Sequence, residues 1–131
     1  MEAAISLNMI PDKHILVVDD AEDIRDFLVT LLSDEAKVST ATDGAEALAM
    51  VRNNCYDLII CDIDMPNLSG IDFYSLAIKK NMELKNKFMF FTGSIDSRMR
   101  HFIHQQQIFY LPKPSPISEI RMRAKVILNK N

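Results

Sequence analysis

Five polar residues follow on from short apolar runs and could do chemistry together. Asp19 and Asp20 close the run Ile15–Val18, Asp62 closes Leu58–Cys61, and Thr92 closes Phe88–Phe91. Lys113 closes Ile108–Leu111, with Pro112 between. Three carboxylates brought close together repel one another, and some stay protonated unless a cation compensates. Oxygen ligands of this kind suit a hard divalent cation such as Mg²⁺. A carboxylate in such a site can also attack phosphorus and form an acyl phosphate. Phosphoryl transfer asks mainly for positioning and for neutralisation of the equatorial oxygens. The cation would serve one oxygen, the Lys113 ammonium a second and the Thr92 hydroxyl a third. Each residue alone has a plainer use: an Asp before a helix caps it, and Asp62 could simply begin a turn. One acid of the adjacent pair could cap; the other has no such need. Five such residues on four separate runs are hard to attribute to capping.

The elements that would position them can be read from periodicity. Short runs rich in β-branched residues, bounded by turn signals, read as buried strands. They lie at His14–Val18, Lys37–Ala41, Leu58–Cys61, Phe88–Phe91 and Ile108–Leu111. Pro66 ends the third, because proline cannot donate to a ladder. Between the strands run helical patterns. Ile24, Phe27, Leu28, Leu31 and Leu32 share one face. Ala45–Arg52 follows the turn Thr42-Asp43-Gly44, with Ala45, Leu48 and either Val51 or Ala49 inward. A helix of about ten residues follows Gly70, with Ile71, Phe73, Tyr74, Leu76 and Ala77 among its apolar members, and Lys79 and Lys80 near its end suit the helix dipole. Ser97–Gln106 carries Met99, Phe102 and Ile103. Pro116–Leu128 turns Ile117, Ile120, Ala124, Ile127 and Leu128 inward. Five strands alternating with five helices imply right-handed crossovers and a parallel sheet covered on both faces. The size fits an α/β, flavodoxin-like doubly wound (βα)5 fold with strand order 2-1-3-4-5. The carboxyl ends of all strands then share one edge, where open α/β sheets bind ligands. Residues 1–12 lack a clear period and read as a leader arm; residues 13–131 read as the domain.

Bulk properties narrow the classes. The chain has 131 residues, 48% hydrophobic and 25% charged, ordinary for one globular domain. No apolar run nears the roughly 18 residues that span a membrane, and the first residues do not read as a signal peptide. The two cysteines, Cys55 and Cys61, form neither a disulfide framework nor a zinc motif. These features fit the cytoplasm. Net charge is −3, unevenly spread. Fifteen acids and four bases up to Asp72 give −11, and three acids and eleven bases from Phe73 give +8. The acidic half could hold a cation and the basic half face an acidic partner. No DNA-binding motif is present, so direct nucleic-acid binding is not expected.

Over residues 13–128 the sequence resembles the receiver domain of two-component response regulators. The matching motifs are Ile15-Leu16-Val17-Val18-Asp19-Asp20, Ala41-Thr42-Asp43-Gly44-Ala45-Glu46-Ala47-Leu48, Asp62-Ile63-Asp64-Met65-Pro66 with Gly70, Phe91-Thr92-Gly93, and Lys113-Pro114. The resemblance implies a signalling domain rather than an enzyme. Asp62 would accept a phosphoryl group from a phosphohistidine on a histidine kinase or a histidine phosphotransfer domain. Asp20 and Asp62 would bind Mg²⁺ directly, Asp19 through water, and Asp64 through its backbone carbonyl. Thr92 and Lys113 would bind the phosphoryl group. Thr92 and Tyr110 would form the switch, and Asp64 and Ser94 stand where the family tunes phosphoryl lifetime. A cis peptide is implied between Lys113 and Pro114. The helix 4–strand 5–helix 5 face, with Arg98, Arg100, His101, His104, Arg121, Arg123 and Lys125, would serve output or a homodimer. Ser69, Gln106 and Gln107 depart from the usual pattern. The stretch Glu83–Gly93 looks like receivers at the C-terminus of hybrid histidine kinases, so the chain reads as either a free-standing receiver or one domain of such a kinase.

Two other readings compete. Asp62-Ile63-Asp64 after an apolar strand also looks like the first motif of haloacid-dehalogenase-like phosphatases. That family needs a later acidic pair for Mg²⁺, and after Thr92 only Asp96 and Glu119 remain. The other is a pseudo-receiver, an interaction module that is never phosphorylated. The intact set of Asp19, Asp20, Asp62, Thr92 and Lys113 argues against it.

Overall fold

A computed structural model describes residues 12–129. Of the expected leader arm only Asp12 is among them, and Lys130 and Asn131 also lie outside the described residues. The strands are β1 (His14–Val18), β2 (Lys37–Ala41), β3 (Leu58–Cys61), β4 (Phe88–Thr92) and β5 (Phe109–Pro112). The helices are α1 (Glu22–Leu32), α2 (Gly44–Asn53), α3 (Gly70–Lys80), α4 (Ser97–Gln106) and α5 (Ile117–Asn129). The sheet is parallel throughout, in the expected order β2-β1-β3-β4-β5.

Successive residues of a strand face opposite sides of the sheet, and here both sides are covered. Leu16 and Val18, Ile59 and Cys61, and Phe88 and Phe90 belong to one core layer, together with Ala47, Phe73, Tyr74, Ala77 and Ile103 from α2, α3 and α4. Ile15 and Val17, Leu58 and Ile60, and Met89 and Phe91 belong to the other, with Leu28, Leu31 and Leu32 of α1 and Ile120, Ala124 and Ile127 of α5. A sheet buried on both faces has continuous apolar strands, which is why these runs carry no alternation. Tyr74 sits edge-on to Phe88, Phe90 and Phe102. Its hydroxyl donates to Gln106 Oε1 at 3.1 Å, tying α3 to α4.

Helix starts are capped where the sequence supplies an oxygen. Asp43, Ser69 and Asp96 accept backbone N–H groups at the starts of α2, α3 and α4, each bond stabilising its helix by about 1 kcal/mol. Some inward assignments fail. Ala45 and Ala49 are exposed, whereas Leu48 and Val51 are half-buried and pack against the first core layer as expected. Ile117 is 51% exposed and Phe27 37%. In the first turn of α2 it is Gly44, packed against Leu68, that faces inward in place of Ala45. A 3₁₀ helix, Met82–Lys87, links α3 to β4 and buries Leu84; its pattern is too short to announce itself. His14 is held at the opposite edge by Asp57, Ser39 and the Tyr56 ring, in keeping with a structural role.

Candidate functional site at the carboxyl edge of the sheet

Backbone bonds carry the sheet pattern one residue past the strand ends and set the site's spacing. Asp19 N–H donates to the Ala41 carbonyl at 3.1 Å, Asp62 N–H to Val18 at 2.9 Å, and Lys113 N–H to Thr92 at 2.9 Å. Five of the expected residues are thereby brought to one edge. Asp19, Asp62 and Thr92 are buried, Asp20 is exposed, and Lys113 is half-buried. One carboxylate oxygen from each of Asp19, Asp20 and Asp62 lies within 4.8 Å of the others. The Lys113 ammonium donates to Asp19 Oδ2 at 2.7 Å and to Asp62 Oδ2 at 3.2 Å. The Lys113–Pro114 peptide is cis.

Asp19 and Asp62 are also fastened by the backbone. Asp19 Oδ1 accepts the Ala21 N–H at 2.9 Å, and its carbonyl accepts Arg25 Nη1 at 2.8 Å. Asp62 Oδ1 accepts the Ile63 N–H at 2.7 Å and lies 3.4 Å from the Asp64 nitrogen. Behind them Gly70 packs directly on the Asp62 carbonyl, and its N–H donates to the Ile63 carbonyl at 2.9 Å.

Electrostatics leaves the cluster short of positive charge. Burial pushes the Asp19 carboxyl above the usual carboxylate range, with a smaller push from Asp62, although the hydrogen bond from Lys113 pulls it back. Burial pulls the Lys113 ammonium down. The Asp19 hydrogen bond and the two acidic charges outweigh it, so Lys113 ends above an ordinary lysine. Three carboxylates, only partly neutralised by one ammonium, make a set of oxygen ligands that fits a divalent cation. A raised Asp19 means that its ionisation costs stability as pH rises through the folded value, and a bound cation offsets that cost. Saturating Mg²⁺ is therefore expected to raise the melting temperature. At ten times the dissociation constant the gain is about 1.4 kcal/mol, or roughly 5 °C. A thermal melt with and without chelator measures it, and no shift would remove the cation from the site.

The remaining expected residues lie around this centre. Asp64 and Ser94 are exposed on the loops after β3 and β4. Tyr110 is half-buried on β5 and lines a surface cavity of about 360 Å³ with Ile95, Arg100, Ile103 and His104. The basic face is present but partly paired: Arg123 bonds Glu119 at 3.0 Å, and Lys125 reaches Glu35 at 3.2 Å. Arg25 and the close approach of Gly70 were not singled out from the sequence. Gly70 is one glycine among three, and nothing local marks its contact with a strand end eight residues earlier.

Residues 15–125 match the family model of the response regulator receiver domain. The chain belongs to this family. Among curated relatives, the receiver is 31% identical over 118 residues to the response regulator MprA of Mycobacterium sp., covering 89% of this chain and 51% of that protein. It is 36% identical over 90 residues to the CAI-1 autoinducer sensor kinase/phosphatase CqsS of Vibrio cholerae, covering 63% of this chain and 13% of that one. It thus spans about half the length, or much less, of these relatives. Among solved structures, a CheY-like receiver domain protein from Methanospirillum hungatei superposes with a TM-score of 0.83 at 26% identity, over 90% of this chain and 94% of that one. The fold is thus the CheY-like, flavodoxin-like one expected, and the receiver is a domain of two-component signalling. Among the described residues, no helix is long and apolar enough to cross a membrane.

Proposed function

We propose that this receiver accepts a phosphoryl group on Asp62 from a phosphohistidine donor, on a histidine kinase or a histidine phosphotransfer domain. The observation that supports this most is the Lys113 ammonium held between the buried carboxylates of Asp19 and Asp62. A carboxylate oxygen of Asp62 attacks phosphorus, the bond from phosphorus to the donor nitrogen breaks, and the electron pair leaves with the imidazole. Ile63 N–H holds the carboxylate in place during attack. Lys113 and the Thr92 hydroxyl neutralise and bind the transferred oxygens. Asp19, Asp20, Asp62 and the Asp64 carbonyl are the groups that would hold Mg²⁺, which supplies charge neutralisation when bound. A solved relative, TrrA from Thermotoga maritima, is described in complex with Mg²⁺ and BeF, at 33% identity and a TM-score of 0.76. On this reading the protein is a signalling domain without turnover of its own on external substrates, working in the cytoplasm, with a homodimer through α4, β5 and α5 as one use of its basic face.

Incubation with Mg²⁺ and a small acyl phosphate, followed by intact mass, is expected to add one phosphoryl group, and none with chelator. Absence of any gain favours the pseudo-receiver. Sustained turnover of a phosphate monoester would instead favour the phosphatase reading.

Two further outcomes follow from the residues around this centre. Asp64 sets a carboxylate beside the acceptor with its side chain in solvent, so Asp64→Asn is expected to change the acyl-phosphate half-life severalfold. Equal half-lives in parent and variant dispose of any tuning role, and the same comparison applies to Ser94→Ala. Tyr110 borders open space beneath α4 and can turn inward as Thr92 moves toward the phosphoryl group, a two-state element biased by local charge. A structure with a phosphoryl mimic is expected to show a changed Tyr110 rotamer. An identical rotamer in both states contradicts the switch.

A further inference from the structure

The loop between β3 and α3 is fastened to the start of α2. Asn67 has φ of 70°, in the left-handed region. Across it the Leu68 N–H donates to the Pro66 carbonyl at 2.7 Å. A three-residue turn about a positive φ is the rare and strained form, and such strain persists only where the surroundings hold it. Two contacts do so. Asn67 Nδ2 donates to Asp43 Oδ2 at 2.8 Å. Gly44 receives Leu68 so closely that an added Cβ would stand 2.4 Å from the Leu68 carbonyl oxygen and 2.9 Å from its Cβ. The other oxygen of Asp43 accepts the Glu46 N–H at 2.8 Å, so one carboxylate both caps α2 and holds the turn. The loop so held carries Asp64, two residues past the acceptor, and ends at Gly70, whose N–H returns to Ile63.

We infer that Asp43 and Asn67 form a clasp that positions the acceptor loop, and that Asp43 acts through it on the affinity of the acid cluster for a divalent cation. The bearing on phosphoryl transfer rests on the reading of Asp62 as acceptor. Asp43 is a positioning residue: its carboxylate bonds the Glu46 N–H of α2 and the Asn67 side chain rather than the cluster. A hydrogen bond to an ionised acceptor is stronger than a neutral one. Without it the strained turn at Asn67 relaxes, and the Asp64 carbonyl no longer waits in one place.

Three variants of the full chain test the clasp. Asp43→Ser keeps a capping oxygen but is too short to reach Asn67. Asn67→Gly keeps the left-handed turn without the side-chain bond. The third combines both. The readouts are the Mg²⁺ dissociation constant by calorimetry and amide exchange at Asp64 and Leu68 in metal-free protein. Each single variant is expected to weaken Mg²⁺ binding about tenfold and to speed exchange at both amides severalfold. The double variant should be no worse than either single one, as for two ends of one contact. Unchanged affinity and exchange with only a lower melting temperature would overturn the clasp and leave Asp43 a helix cap. Additive losses would overturn it as well. Exchange is read without metal or phosphoryl donor, so it decides the clasp even if the parent takes up no phosphoryl group, which would count against the acceptor reading alone.

Discussion

Asp62→Asn is expected to abolish phosphoryl uptake and, in metal-free buffer, to raise the melting temperature. The carboxamide has nearly the volume of the carboxylate and keeps an oxygen to accept the Ile63 N–H. Lys113 keeps its shorter contact, 2.7 Å to Asp19. What disappears is one of three carboxylates gathered within 4.8 Å around one ammonium. Asp62 is among the causes that push the Asp19 carboxyl upward, so Asp19 should ionise more readily in the variant. Losing the 3.2 Å contact with Lys113 works the other way. Formal charge at the cluster falls from −2 to −1, and repulsion between neighbouring acids outweighs one partly solvated ion pair. A net gain on the order of 1 kcal/mol corresponds to several degrees. Thermal melts and intact mass on the same samples check both halves. A variant that still takes up a phosphoryl group moves the acceptor elsewhere, and a clearly lower melting temperature shows that Asp62 stabilises the apo fold.

Gly70→Ala is expected to be the most damaging small substitution near the site. Alanine normally gains about 0.5–1 kcal/mol over glycine inside a helix. Here the added Cβ would lie 2.1 Å from the Asp62 carbonyl oxygen and 2.9 Å from Ile63 Cα, both backbone atoms. Neither can rotate away, so either α3 lifts from the sheet or the chain at Asp62 shifts. Overpacking of this kind costs roughly 1–3 kcal/mol and occasionally more, which exceeds the propensity gain. The melting temperature should fall by roughly 10 °C, and uptake measured well below the melt should slow, because the displaced residue is the proposed acceptor. An unchanged melting temperature would show that the contact relaxes at little cost.

The strands were legible because a sheet buried on both faces needs unbroken apolar runs, and polar residues at their ends then stand out. Asp19, Asp20, Asp62, Thr92 and Lys113 were found that way. Helix facing was less legible: Ala45 and Ile117 match the inward pattern yet are exposed, and in the first turn of α2 the inward place is taken by Gly44 against Leu68. The 3₁₀ helix Met82–Lys87 is too short to show a period. The clasp was invisible for a different reason. Asp43 and Asn67 are separated by 24 positions and meet side chain to side chain, in segments that each read locally as an ordinary turn. Gly70 likewise matters through a contact with a strand end rather than through its own conformation.

On the proposed reading the phosphoryl group resides on Asp62. Borohydride reduces an acyl phosphate to an alcohol, so reduction of the phosphorylated protein followed by peptide mapping reads the position directly. The expected result is a single reduced aspartate at position 62, present with Mg²⁺ and absent with chelator. A reduced residue at Asp19, Asp20 or Asp64 instead, or a phosphoryl group retained on a histidine, would contradict it.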